Sequence, residues 1–63
     1  MDELENYRGN CYLVIAWLKK YGLYDKFVIA NDGGKPTVLR VCQERFSKAK
    51  CLIIVALFME CYK

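Results

Sequence analysis

Nine consecutive apolar residues run from Cys51 to Met59, the longest such stretch in the chain. A membrane-spanning helix needs about twenty, so the run belongs to a core or an interface and must be covered by whatever the rest of the chain supplies. That supply is small. Sixty-three residues make a single domain, 1–63, because a chain of this size hides only about 60% of its unfolded surface and builds one core. Hydrophobic residues make up 56% of it, against roughly 45 to 50% for an ordinary globular domain. So small an interior cannot take in all of them, and part of the surplus is expected on the surface. Scattered exposed apolar residues are ordinary, but a contiguous patch marks a site for a partner.

Before that run, periodicity divides the chain. From Asp2 to Tyr21 the apolar residues Leu4, Tyr7, Cys11, Val14, Ile15 and Leu18 recur at three- and four-residue steps, which predicts a helix. Gly22, after Lys19, Lys20 and Tyr21, is its stop. Gly9 and Asn10 weaken its middle, so the ordered part can begin at Asn10 acting as N-cap. Tyr12, Leu13, Ala16 and Trp17 make the second half apolar nearly all round, which predicts burial on more than one side.

Lys26 to Ala30 and Thr37 to Cys42 are short runs rich in β-branched residues, separated by Asn31-Asp32-Gly33-Gly34-Lys35. Residues that tolerate positive φ between two such runs predict a β-hairpin, with Pro36 at the entry of the second strand. Gln43 to Lys50 lacks turn formers and holds the i, i+4 pair Glu44 and Lys48, which predicts helix. Continued, that helix lines up Phe46, Ala49, Ile53, Ala56 and Met59 or Glu60 at near-heptad spacing. The fold expected is therefore α+β, in the order α-β-β-α around a central hairpin. Two alternatives stand beside it. A buried strand at Cys51 to Phe58 gives α-β-β-β. An all-α bundle has a short helix from Leu23 to Asn31 and one long helix from Pro36 onward.

The chain has no histidine, the commonest general acid or base near neutral pH. Asp25, Asp32, Glu44 and Glu60 are not paired by spacing on one short element, so catalysis is not expected. Cys11, Cys42, Cys51 and Cys61 form no C-x-x-C pair, and without histidine no mixed zinc set is possible, so neither metal nor cofactor is expected. No secretory leader pattern is seen at the acidic start. A cytoplasmic setting with reduced thiols, two in the core and two near the surface, is therefore expected, with a disulfide-stapled secreted domain as the lesser alternative.

The net charge of +3 hides a skew: residues 1–10 carry −2 and the remainder +5. Arg40, Arg45, Lys48 and Lys50 surround Glu44 and Phe46, a patch that could meet phosphates or a protein partner, or form the solvated face of an amphipathic helix. Trp17, Tyr21 and Tyr24, beside Lys19 and Lys20, form a second candidate, since aromatic anchors are enriched at contact surfaces. Gly33-Gly34-Lys35-Pro36-Thr37 lacks the phosphate-loop frame, although turn N–H groups with Lys35 beside them could cradle an anion.

These features predict a small non-catalytic protein-binding module, homodimeric, that inhibits or regulates a larger protein by occluding its surface. Small inhibitors carried by viruses or mobile elements share this profile. The alternatives are a nucleic-acid binder using the basic patch, and a sponge that holds a small anion such as a nucleotide between subunits with Tyr21, Tyr24 and Lys35.

Overall fold

Asn10 opens the first α-helix. Its side-chain oxygen accepts from the Leu13 N–H at 3.2 Å, as an N-cap does. In the computed structural model, which describes residues 3–62, this helix (α1, Cys11–Lys20) follows a 3-10 turn at Glu3–Tyr7, and three more helices complete the chain: α2, Tyr24–Asn31; α3, Lys35–Gln43; α4, Lys48–Cys61. Asp2, where the sequence places the start of the first helix, lies outside the described residues. The break at Gly9, where φ is 83°, separates the 3-10 turn from α1, so the 2–21 pattern is two elements. Gly22 ends α1 as expected. It sits at φ 68°, and its N–H and that of Leu23 return to the carbonyls of Lys19 and Leu18 at 3.1 and 2.8 Å.

The hairpin is absent, and the α+β expectation is overturned: among the described residues there is no strand, and the architecture is all-α. The α-β-β-β alternative falls with it. The stretch 26–30 lies in α2 and 37–42 in α3. The burial pattern gives the physical reason. Phe27, Ala30, Val38 and Cys42 are buried, Leu39 and Val41 half-buried, and Thr37 and Arg40 exposed, which is helical spacing and not alternation. Two helices also satisfy their own N–H groups, whereas a lone two-stranded hairpin is marginal in water. The β-branched residues therefore yield to packing. The glycines keep their turn role in a different turn, with Gly34 at φ 89° and Pro36 in the first turn of α3, where its missing N–H costs nothing.

The chain is also not one long helix from Pro36. Ser47 has extended backbone, φ −65° and ψ 159°, and its hydroxyl accepts from the Lys50 N–H at 3.4 Å, so α4 starts anew there. Glu44 lies in the intervening turn, and the Glu44–Lys48 pair does not share a helix.

α4 is the spine. Cys51, Ile54, Val55, Leu57 and Phe58 are buried against α1, α3 and the 3-10 turn, while α2 packs on α1 and α3. Phe27 meets Phe58 edge to face, with centroids 5.3 Å apart, and Leu4 plugs the core from the 3-10 turn. Each such fully buried side chain contributes about 1.5–3 kcal/mol over leaving it in water.

The cysteines correct a second expectation. Cys42 and Cys51 are buried free thiols, but Cys11 and Cys61 are joined in a disulfide, with Cα atoms 5.4 Å apart. Their sequence separation of 50 hid the pairing. α1 and α4 run side by side in opposite directions, so the first residue of one meets the last of the other.

Candidate functional site

α1 ends on two lysines and α4 begins on Lys48, with Lys50 in the same first turn. Cations suit a helix C-terminus and disfavour an N-terminus, by about 0.3–1 kcal/mol each. The α4 end therefore breaks a local rule, and with Arg45 it concentrates positive charge where helix propensity alone would not.

At this corner the antiparallel helices bring two separated segments together. The Trp17 ring lies 4.5 Å from that of Tyr21 and 5.9 Å from that of Phe46, and Tyr21 meets Phe46 edge to face at 6.4 Å. Around these rings stand three cations. Lys20 Nζ is 5.7 Å from the Tyr21 ring centre and Lys50 Nζ 5.2 Å from that of Phe46, each contact worth about 0.5–1 kcal/mol when exposed. Arg45 Nη1 donates to the Tyr21 main-chain oxygen at 2.7 Å. One turn on, Lys19 Nζ stands 5.2 Å from the Tyr24 ring centre. Trp17 is 8% exposed and Tyr21 38%, so the corner shows aromatic edges to solvent while its base is core.

Five of the sequence candidates thus converge: Trp17 and Tyr21 from one set, Arg45, Phe46 and Lys50 from the other. Tyr24 flanks them through Lys19. Lys48 is exposed at the first residue of α4, and Arg40 is exposed on α3. Lys35 is not brought to the tyrosines. It opens α3 beyond the far end of α2, whose eight residues span about 12 Å. Nor is the Gly33–Thr37 turn an open anion cradle. The N–H groups of Gly33, Gly34 and Thr37 already donate to the carbonyls of Ala30, Asn31 and Gly34, and the Thr37 hydroxyl donates to Gly33 O at 3.0 Å.

Elsewhere the surface carries large apolar residues, among them Tyr12, which was expected to be buried. Tyr12 is 72% exposed and borders, with Ile15, Ala16 and Lys19, a shallow groove of about 340 Å³ along α1. Ile29, 75% exposed, borders a larger one of about 480 Å³ between α2 and α3, with Ala30, Thr37 and Val41. α1 is apolar nearly all round but buries one side only, at Val14, Trp17 and Leu18. Among the described residues no helix is long and apolar enough to cross a membrane, and no group of three or more acidic or thiol side chains could hold a metal ion.

No protein-family model matches the chain, and no curated protein and no solved structure is significantly similar to it.

Proposed function

We propose that the protein is a non-catalytic interaction module that seats its aromatic–basic corner on an acidic surface of a larger protein and so occludes it, an inhibitor or regulator of the kind viruses and mobile elements carry. The observation that carries this reading is the convergence of Trp17, Tyr21 and Phe46 with Lys20, Arg45 and Lys50 from segments about 25 residues apart in sequence. Rigid aromatic anchors ringed by cations are the composition that dominates binding energy at protein interfaces. The absence of histidine supports a non-catalytic role, although Asp32 and Glu44 line one groove between α2 and α3. Self-association belongs to the same reading. The reduced thiols expected of a cytoplasmic location do not fit the Cys11–Cys61 bond, and a binding module of this kind works equally in an oxidising compartment.

A nucleic-acid partner is the second reading, since interleaved cations and aromatics also suit single strands. It is the weaker one. Base stacking needs open ring faces, and here the rings lie against one another with lysines over Tyr21 and Phe46. Within one chain Lys35 lies apart from Tyr21 and Tyr24, so a nucleotide sponge would need a pocket built from two copies, and no observation favours it.

The test compares capture of host proteins by the wild-type chain with capture by K20E/R45E, using Lys26→Glu as a charge control away from the corner. A protein retained by wild type and by the control but lost with the double variant supports the reading. Equal capture by all three overturns it. A mobility shift of a single-stranded oligonucleotide at low salt, abolished by added salt, would move the assignment to nucleic acid.

A further inference from the structure

The spine helix has a second apolar stripe that the core uses only at its Met59 end. Opposite its buried residues, α4 presents Ala49, Leu52, Ala56 and Met59, at steps of three, four and three. Ala49 is exposed, Leu52 48% exposed, and Ala56 and Met59 half-buried. Exposed Lys48 stands at one end of the stripe, and at the other exposed Glu60 is paired with Arg8 at 3.6 Å. Steps of three and four repeated on one face are the seam of a helix pair; Met59 packs partly on the core, and Ala49 and Leu52 are left exposed.

We propose that a second copy of this chain covers the stripe, its α4 antiparallel to the first about a two-fold axis near residue 54. This deepens the self-association named above and does not involve the aromatic–basic corner's role toward other proteins. Two observations select both the occupant and the direction. In size, antiparallel pairing sets Ala49 opposite the partner's Met59 and Leu52 opposite the partner's Ala56, so each large side chain faces a small one. Parallel pairing would set alanine on alanine and leave voids. In charge, Glu60 already lies 3.6 Å from Arg8 Nη1 of its own chain, so the cations distinguish the ends: antiparallel pairing keeps the Lys48 and Arg45 end of each helix away from the same end of the other and sets opposite dipole ends together. Parallel pairing would put the two cationic ends and two like dipole ends together.

Area sets the strength. Fourteen residues make a helix about 21 Å long, and one such pairing falls short of the roughly 800 Å² per partner of a standard interface. The dimer is therefore expected to be weak, formed and lost with concentration.

Sedimentation equilibrium of the full chain across the micromolar range should show a monomer–dimer transition. Leu52→Glu should weaken it at least about tenfold, or 1.4 kcal/mol, without change in helical circular dichroism, because Leu52 is outside the core. Ile29→Glu, at a more exposed apolar residue on α2, should leave it unchanged. Direction is read by mild oxidation. A mixture of A49C and M59C chains should form a mixed disulfide, whereas A49C alone should not dimerise covalently, its thiols lying about 15 Å apart along the axis. A chain that stays monomeric throughout, a dimer weakened by Ile29→Glu but not by Leu52→Glu, or ready cross-linking of A49C to itself would each overturn the proposal. Loss of the dimer in Leu52→Glu with capture of host protein intact separates this interface from the corner.

Discussion

Arg45 donates from Nη1 to the main-chain oxygen of Tyr21 at 2.7 Å across a sequence separation of 24, and this bond ties the last turn of α1 to the loop before α4. The carbonyl it takes is one that a helix C-terminus leaves without an intrahelical donor, and the guanidinium also meets the negative end of the dipole. It acts beside the bonds from the Arg45 and Phe46 N–H groups to Cys42 O and from Cys51 Sγ to Phe46 O, which together hold the loop where Phe46 meets Trp17 and Tyr21.

Arg45→Met keeps most of the side-chain bulk and removes the donor. Since the bond is exposed, its loss should lower stability by only about 1 kcal/mol, read from the urea midpoint. The emission of Trp17, the sole tryptophan, should shift to the red as Phe46 loosens. An unchanged midpoint together with unchanged emission would show that the bond does not hold the corner.

The parts of this architecture legible in the sequence are those governed by neighbours along the chain. Asn10 as cap, Gly22 as stop and the helical character of 51–58 follow from local pattern, and so does the exposed placement of Tyr21 beside Lys20. The parts that were not legible depend on what packs against what. Val28, Ile29, Val38 and Val41 favour strands by propensity, and nothing local reveals that Phe27 will find Phe58 across the molecule. Ser47 reads as an ordinary helix residue until its extended backbone is seen. The two halves of the corner were each legible, but their meeting was not, because it follows from the antiparallel course of α1 and α4. The same course explains the hidden Cys11–Cys61 pair.

Gly22→Ala probes the α1 stop. An added Cβ meets nothing within 4 Å, so the cost is conformational alone, about 1–2 kcal/mol for placing an L-residue at φ 68°. Asparagine, which tolerates that region better, should recover part of it. Equal melting of all three proteins would mean that the chain leaves α1 in some other conformation.

Alkaline pH should destabilise the fold through Cys42. Burial, then a hydrogen bond and charge interaction with Cys51, push its thiol well above the ordinary range, while Cys51 donates to Phe46 O at 3.6 Å. The folded state thus keeps a proton that the unfolded chain releases above about pH 8.5. Stability is full below that pH and falls as pH rises beyond it, by about 1.4 kcal/mol per unit from this one group. Urea midpoints measured between roughly pH 8 and 10 should show this slope, and Cys42→Ala should lose it even though it is less stable at neutral pH. An identical slope in the variant would place the proton release elsewhere.

The Cys11–Cys61 bond closes most of the chain into a loop. With a separation of 50, the chain-entropy relation assigns it about 4 kcal/mol, acting by restricting the unfolded ensemble. For a domain of this size, whose whole stability is of the order of 5 kcal/mol, reduction should leave a chain that is partly unfolded at room temperature. Thiol titration checks the pairing directly. The native protein should expose no rapidly reacting thiol, since Cys42 and Cys51 are buried; denaturation without reductant should release two; denaturation with reductant, four. C11S/C61S should behave as the reduced protein and be insensitive to added dithiothreitol. Four thiols on denaturation of protein never exposed to reductant would show that the bond is not made, and α1 and α4 would then owe their alignment to packing alone.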